Sequence, residues 1–231
     1  MRAWTGMAAA TAVLASLLAA LGAAAPASGQ TITDRRVWAT LTVQGRVSDD
    51  GKWRWTSDSL VRSRDGARTL DFLAERVVIT REVSPHVGVG FGYAYGAGFP
   101  DGGSVREHRL VQHVSWIGGS RTRLSFKTRL EERFITGRDA MLRVRQQVRI
   151  VRPIAAHSRL LMVVSEELFV VANANALRLP AIDSNRFFAG IGRKVTPRTG
   201  VEVGYLNVRS YPALTRNLRS HVFSATFSLV L

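Results

Sequence analysis

Residues 121–152, RTRLSFKTRLEERFITGRDAMLRVRQQVRIVR, carry the reading of the fold. Counting by twos puts Arg121, Arg123, Ser125, Lys127, Arg129, Glu131 and Arg133 on one side. Thr122, Leu124, Phe126, Thr128, Leu130, Glu132 and Phe134 then fall on the other. After a break at Thr136, Gly137, Arg138 and Asp139 the rule returns, with Arg143, Arg145, Gln147 and Arg149 opposed to Leu142, Val144, Val148 and Ile150. Side chains alternate across a strand with a period of two, and a helix cannot sort this pattern. The stretch predicts two neighbouring strands, their apolar faces against lipid and their charged faces lining a small membrane barrel.

The N-terminus supports export. Arg2 precedes an uncharged, Ala- and Leu-rich run over residues 7–25, and Ala25, Ala27 and Gly29 offer small residues for cleavage after Ala27 or after Gly29. Cleavage after Gly29 is preferred, which assigns residues 1–29 to a signal peptide and residues 30–231 to one barrel domain. An uncleaved membrane anchor is the alternative, although retained helices favour Leu, Ile and Phe over Ala. With no cysteine in 231 residues, neither a disulfide framework nor a thiolate metal site is available, and no lipoprotein anchor is expected. The net charge of +15 is compatible with nucleic acid, anionic lipid or acidic partners. Export and the spreading of Arg along strands argue against nucleic acid. No later segment approaches the run of about 20 apolar residues that a membrane helix needs, but barrel strands show lipid only every second side chain.

Alternating segments run 37–47, 53–63, 69–83, 87–95, 105–117, the two around Thr136, then 159–171, 184–195, 201–209 and 220–231. In residues 87–95, Val87, Val89, Phe91, Tyr93 and Tyr95 alternate with Gly88, Gly90, Gly92 and Ala94. A glycine face predicts close approach by bulky side chains from opposite strands. Connections are short at 84–86, 118–120 and 196–200 and longer at 96–104, 172–183 and 210–219. This is the asymmetry of periplasmic turns and outer loops, with 136–139 an exception. The segments number 11, whereas bacterial barrels have an even count, so about 10–12 strands are expected: 10 if the first segment is a plug or edge piece, 12 if one has been missed. Phe223, Ala225, Phe227, Leu229 and Leu231 form a final apolar set like the C-terminal strand by which outer-membrane proteins are recognised for insertion by the barrel-assembly machinery.

Inward arginines need partners, because an isolated charge away from water is costly. The candidate interior network is Glu107, Arg109, Arg129, Glu131, Arg133, Arg143, Arg145, Glu167, Arg186 and Glu202. It would hold the barrel in register or form a path for a small anion. Glu167 is placed on the face of Arg159. Glu132 breaks the apolar register near the end of its strand, and Trp53, Trp55, Tyr93, Tyr95 and Trp116 are candidate girdle residues. Catalysis finds little support. The five His lack zinc-ligand spacing, and Ser115, His113 and Glu107 share a face only in the way short strands often arrange such residues. The glycine runs lack a following helix and are not phosphate loops.

Glu107-x-Arg109, Arg129-x-Glu131-x-Arg133, Arg143-x-Arg145, Glu167-x-Phe169, Asn185-Arg186 leading to Gly190-x-Gly192, and Gly204-Tyr205 occur in an order that resembles the bacterial outer-membrane barrels catalogued as domain of unknown function 2490. The resemblance covers roughly residues 37–209. It implies an outer-membrane location and a barrel, and brings no established reaction, ligand or cofactor. The expectation is an all-β, antiparallel transmembrane barrel with a polar Arg/Glu interior, structural or ligand-binding in role. A narrow anion-selective channel is the alternative, and a lipid-modifying enzyme acting through Ser115 a third reading. Expected partners are outer-membrane lipid and lipopolysaccharide phosphates, the latter met by Arg138, Arg178, Arg216 and Arg219.

Overall fold

Every alternating segment becomes a strand, and the strands close on themselves. The computed structural model describes residues 31–156, 158–212 and 216–231. Its strands are β1 (Ile32–Arg46), β2 (Trp53–Arg64), β3 (Thr69–Glu82), β4 (Val87–Gly98), β5 (Val105–Gly118), β6 (Arg123–Ile135), β7 (Met141–Pro153), β8 (Leu160–Val171), β9 (Ile182–Lys194), β10 (Thr199–Ser210) and β11 (Leu218–Val230). A single helical turn, α1 (Ala174–Leu177), lies between β8 and β9. Each strand pairs antiparallel with the next, and β1 meets β11 to complete a barrel.

The strand count corrects the even number expected. The barrel has eleven strands, and the first segment is neither plug nor edge. An up-and-down ring of odd count can close only if its first and last strands run the same way. Accordingly β1 and β11 are parallel, in unbroken register from Ile32↔Leu218 to Gln44↔Val230. Parallel neighbours cannot be joined by a tight hairpin. That restriction does not bear on these two, because nine other strands lie between them in the chain.

Several boundaries also move. β1 begins at Ile32 rather than Val37, since its early residues pair with β11 before β2 arrives at Trp38↔Arg62. β4 continues to Gly98, which shortens its loop to 99–104. Arg159 precedes β8 and so does not share a strand face with Glu167, and Arg219 belongs to β11 rather than to a loop. The expected signal peptide lies outside the described residues. Connections 65–68, 99–104, 136–140, 172–181 and 211–217 leave from one rim, and 47–52, 83–86, 119–122, 154–159 and 195–198 from the other. The rim with the first set therefore carries the longest connections, and Ile32 lies on it while Val230 lies at the opposite rim.

The two faces of the wall are sorted as the alternation requires. On β4, Val89, Phe91, Tyr93 and Tyr95 are exposed on the outside while Gly88, Gly90, Gly92, Ala94 and Gly96 are buried. The bulky groups that cover these glycines come from flanking strands rather than opposite ones. A Cβ at Gly90 would meet His113 Nε2 at 2.8 Å and Thr80 Oγ1 at 2.9 Å, and one at Gly96 would strike the Phe72 ring. β9 and β10 repeat the device at the directly paired Gly190 and Gly204. A Cβ on Gly204 would lie 2.6 Å from Gly190 Cα and 2.7 Å from Phe188 Cζ, so the Phe188 ring lies over a bare patch of backbone.

Closure by a parallel pair can be tested because the chain has no native cysteine. Ala39 and Ala225 are direct partners on the outer face of β1 and β11. The double variant Ala39→Cys/Ala225→Cys should oxidise to an intramolecular disulfide, seen as a reducible mobility shift. Ala39→Cys with Leu229→Cys, displaced along the strand by about 13 Å, should not.

Candidate functional site

The interior of the ring is where ionisable side chains meet. Register places Arg129 opposite Arg145 and Glu131 opposite Arg143 on β6 and β7, so a like-charged pair of neighbours lies beside an opposite-charged one and must be resolved by carboxylates. Glu131, only 1% exposed, does most of this. Its Oε2 accepts from Arg143 Nε at 3.0 Å and Nη2 at 2.5 Å, and its Oε1 from Arg145 Nη1 at 2.7 Å. Arg145 turns its other edge to Glu167 Oε1, with Nε at 3.1 Å and Nη2 at 2.7 Å. Arg143 Nη1 donates to Asp183 Oδ2 at 2.9 Å. These are forked, charge-assisted bonds whose planar geometry only guanidinium supplies.

A second cluster centres on Glu107, which accepts from Arg109 Nη2 at 2.6 Å and from Arg133 Nε. Arg149 reaches across the interior from β7 to Glu202 on β10, with Nη1 3.2 Å from Oε1. Eight of the ten residues of the candidate network stand in these hydrogen-bonded groups, and Arg129 and Arg186 do not. A further group was missed by reading the sequence: Asp58, held by Arg76 Nε at 3.1 Å and by Thr42 Oγ1 at 2.7 Å. The signal was present, because Asp58, Leu60 and Arg62 obey the same two-residue rule on β2.

Three inward arginines differ from the rest. Arg62 forms neither an ion pair nor a hydrogen bond among the described residues, Arg186 comes no closer than 3.9 Å to Glu167, and Arg129 no closer than 3.8 Å to Glu131. Two of them rest on aromatic faces instead. Arg62 Cζ lies 4.1 Å from the Trp38 ring centre and 5.2 Å from that of Phe72; Arg186 Cζ lies 4.3 Å from Phe169 and 5.1 Å from Trp38. Phe169 is completely buried and also carries Arg145 at 4.5 Å. Cation–π contacts of this kind are worth about 0.5–2 kcal/mol, the larger value when desolvated, and leave the N–H groups at the guanidinium edge free to donate.

Two cavities abut at this point. The one toward the long-connection rim has a volume of about 300 Å³, the other about 260 Å³, and Arg62, Arg109, Arg145 and Arg186 line both. Phe99 and Pro100 of loop 99–104 close over the first. That loop is tied down by Arg64, whose Nη2 is 2.5 Å from Asp101 Oδ1; the guanidinium holds the Asp101 carboxyl below the usual carboxylate range.

His113, Ser115 and Glu107 do not assemble into a relay. His113 Nε2 faces Thr80 Oγ1 at 3.4 Å, Ser115 Oγ donates to the carbonyl of Gly88 at 3.4 Å, and Glu107 is taken by two arginines. Outside the ring, Glu132 is flanked by Leu110 and Leu142 as direct partners. Removing one partner of a buried pair leaves the other uncompensated at a cost of about 3–5 kcal/mol. Glu131→Gln should therefore lower stability by about that amount, measured as urea unfolding of purified protein in detergent, whereas the outward Glu132→Gln should stay within about 0.5 kcal/mol of wild type.

No curated protein and no solved structure matches the chain. Residues 35–217 match the family described as protein of unknown function (DUF2490), and with most of its length covered the chain belongs to that family.

Proposed function

We propose that the protein is a β-barrel of the bacterial outer membrane, delivered by a cleaved signal peptide, with a largely filled interior and a structural or ligand-binding role. The observation that carries this reading is an inversion of the usual order: Glu131 is 1% exposed and Phe91 is 58% exposed. Val61, Leu73, Val77, Val89, Val114, Phe187, Ile191, Phe223 and Phe227 share the outer face and its exposure. Apolar side chains encircling a ring without a free strand edge suit hydrocarbon, where every backbone group has to be satisfied within the protein. Trp53, Trp55 and Trp116 stand outward near the short-connection rim, while Tyr93 and Tyr95 lie further along β4 toward the other, as two interfacial girdles would.

The rim with the longer connections also carries Arg138, Arg178 and Arg216, with Arg219 at the start of β11. On this reading they meet lipopolysaccharide phosphates. The outward set Phe223 to Leu231 on and beyond β11 would serve recognition by the barrel-assembly machinery. A narrow anion-selective channel is the second reading, and the abutting cavities with their surplus arginines favour it. Planar-bilayer recording separates the two. The filled barrel gives no steady conductance, and a steady anion-preferring current reduced by Arg129→Gln or Arg145→Gln would replace this reading with the channel.

A further inference from the structure

The arginines around the cavity toward the long-connection rim outnumber what the protein gives them to bind. Arg62, Arg109, Arg133, Arg143, Arg145 and Arg186 line it, against Asp71 and Glu107. Asp71 is engaged by Arg36, with Nη1 at 2.8 Å, and Glu107 by Arg109 and Arg133. Glu131, Glu167 and Asp183 satisfy Arg143 and Arg145 from behind. Arg62 and Arg186 are left without a hydrogen-bonded carboxylate, and the Nε atoms of Arg62, Arg109 and Arg186 are buried without a hydrogen-bond partner among the described residues. Burial of a polar N–H without an acceptor is costly, more so when the group is charged.

The aromatic rings explain how the surplus is kept in place. Trp38 carries both Arg62 and Arg186 on its ring, and Phe72 carries Arg62 and Arg109, at 5.2 and 5.6 Å. A guanidinium stacked on a π face has its plane fixed and its edge donors pre-aimed, which is how arginine is presented to planar or tetrahedral oxyanions. The cavity of about 300 Å³ is at the small end for a ligand site, and suits a compact anion rather than a lipid or a sugar chain.

We propose that the collar formed by Arg62, Arg109 and Arg186, backed by Trp38 and Phe72, is a binding site for a small doubly charged oxyanion of the phosphate class, entering from the rim where loop 99–104 covers the cavity. Two negative charges match the two arginines that lack a hydrogen-bonded carboxylate. The lipid-facing wall is continuous, so the phosphate comes from free solutes rather than from a lipid headgroup reached sideways. The site rests on the reading of the interior as a filled, ligand-binding lumen and gives that reading its ligand class.

The test uses the full-length mature protein in detergent, with thermal unfolding followed in sodium phosphate and in sodium chloride at equal ionic strength. Phosphate should raise the midpoint in a saturable manner and glycerol 3-phosphate should do the same, while chloride and phosphatidylglycerol micelles should not. Arg62→Gln should weaken phosphate binding by at least tenfold, read as the phosphate-induced shift relative to the variant's own midpoint without phosphate. Arg106→Gln, an outward charge at the same rim, should leave the phosphate response intact. No phosphate-specific shift in wild type, a shift retained in Arg62→Gln, or an equal response to the micelles would each overturn the site. Conductance combined with Arg62-dependent phosphate binding would remove the filled-lumen reading and leave the site standing; silence in both experiments would do the reverse.

Discussion

Closure of the ring depends on one parallel ladder, and the rest of the structure depends on closure. If β1 were withdrawn, β2 and β11 would each present a row of unpaired backbone groups, and the inside of the sheet would open to the surroundings. The ladder is long, running from Ile32↔Leu218 to Gln44↔Val230 without a shift in register, whereas β2–β3 and β8–β9 each carry an irregularity. Length offsets the slightly weaker pairing of parallel strands. Closure also fixes which side of every strand faces inward, so the charge network and the exposed apolar belt are two results of the same constraint.

Once the wall is closed, the interior has to manage more cations than anions. Two solutions coexist. Where a carboxylate is within reach, guanidinium groups share it, as Arg143 and Arg145 share Glu131 and as Arg109 and Arg133 share Glu107. Where Arg62 and Arg186 hydrogen-bond to none, the positive plane lies against an aromatic ring, as at Trp38, Phe72 and Phe169. The first solution consumes hydrogen-bond donors and locks strands together. The second leaves donors unused, which is why the cavity that collects Arg62 and Arg186 differs in kind from the sealed environment of Glu131.

Much of this was legible in the sequence, and the limit has a physical cause. Alternation sorts side chains within one strand, so the outward row of β4 and the inward rows of β6 and β7 could be read directly from residues 87–95 and 121–152. Glycine on the inner row of β4 was also readable as a mark of close packing, but the covering groups Phe72 and His113 belong to adjacent strands, which depends on register. Register between strands is set by turns, bulges and stagger together, and a single strand's pattern does not contain it. Hence Arg149 could be placed inside but not matched with Glu202, and Arg62 could not be seen to lie on Trp38. The early part of β1 escaped notice because Asp34, Arg35 and Arg36 interrupt its apolar row; Asp34 and Arg36 turn out to pair with one another inside the ring, at 2.8 Å.

The odd strand count departs from a rule of parity, not from the pattern of the residues. Eleven alternating segments were present, and only the expectation of even parity suggested removing or adding one. That rule follows from both chain ends lying on the same rim, and parity by itself carries no energy. A strand that starts at the far rim meets the same hydrogen-bonding surface from its neighbour, provided it accepts a parallel ladder. β1 meets that condition: its inward residues Asp34, Trp38, Thr40 and Thr42 fall beside inward Ser220, Ser224, Thr226 and Ser228, so small hydroxyl side chains on β11 leave room for the one large ring, Trp38, on which two arginines rest. The seam of the barrel and the cationic collar are in this sense one feature, since exchanging β11's serines for bulky residues would displace Trp38 and, with it, the guanidinium groups stacked on its ring.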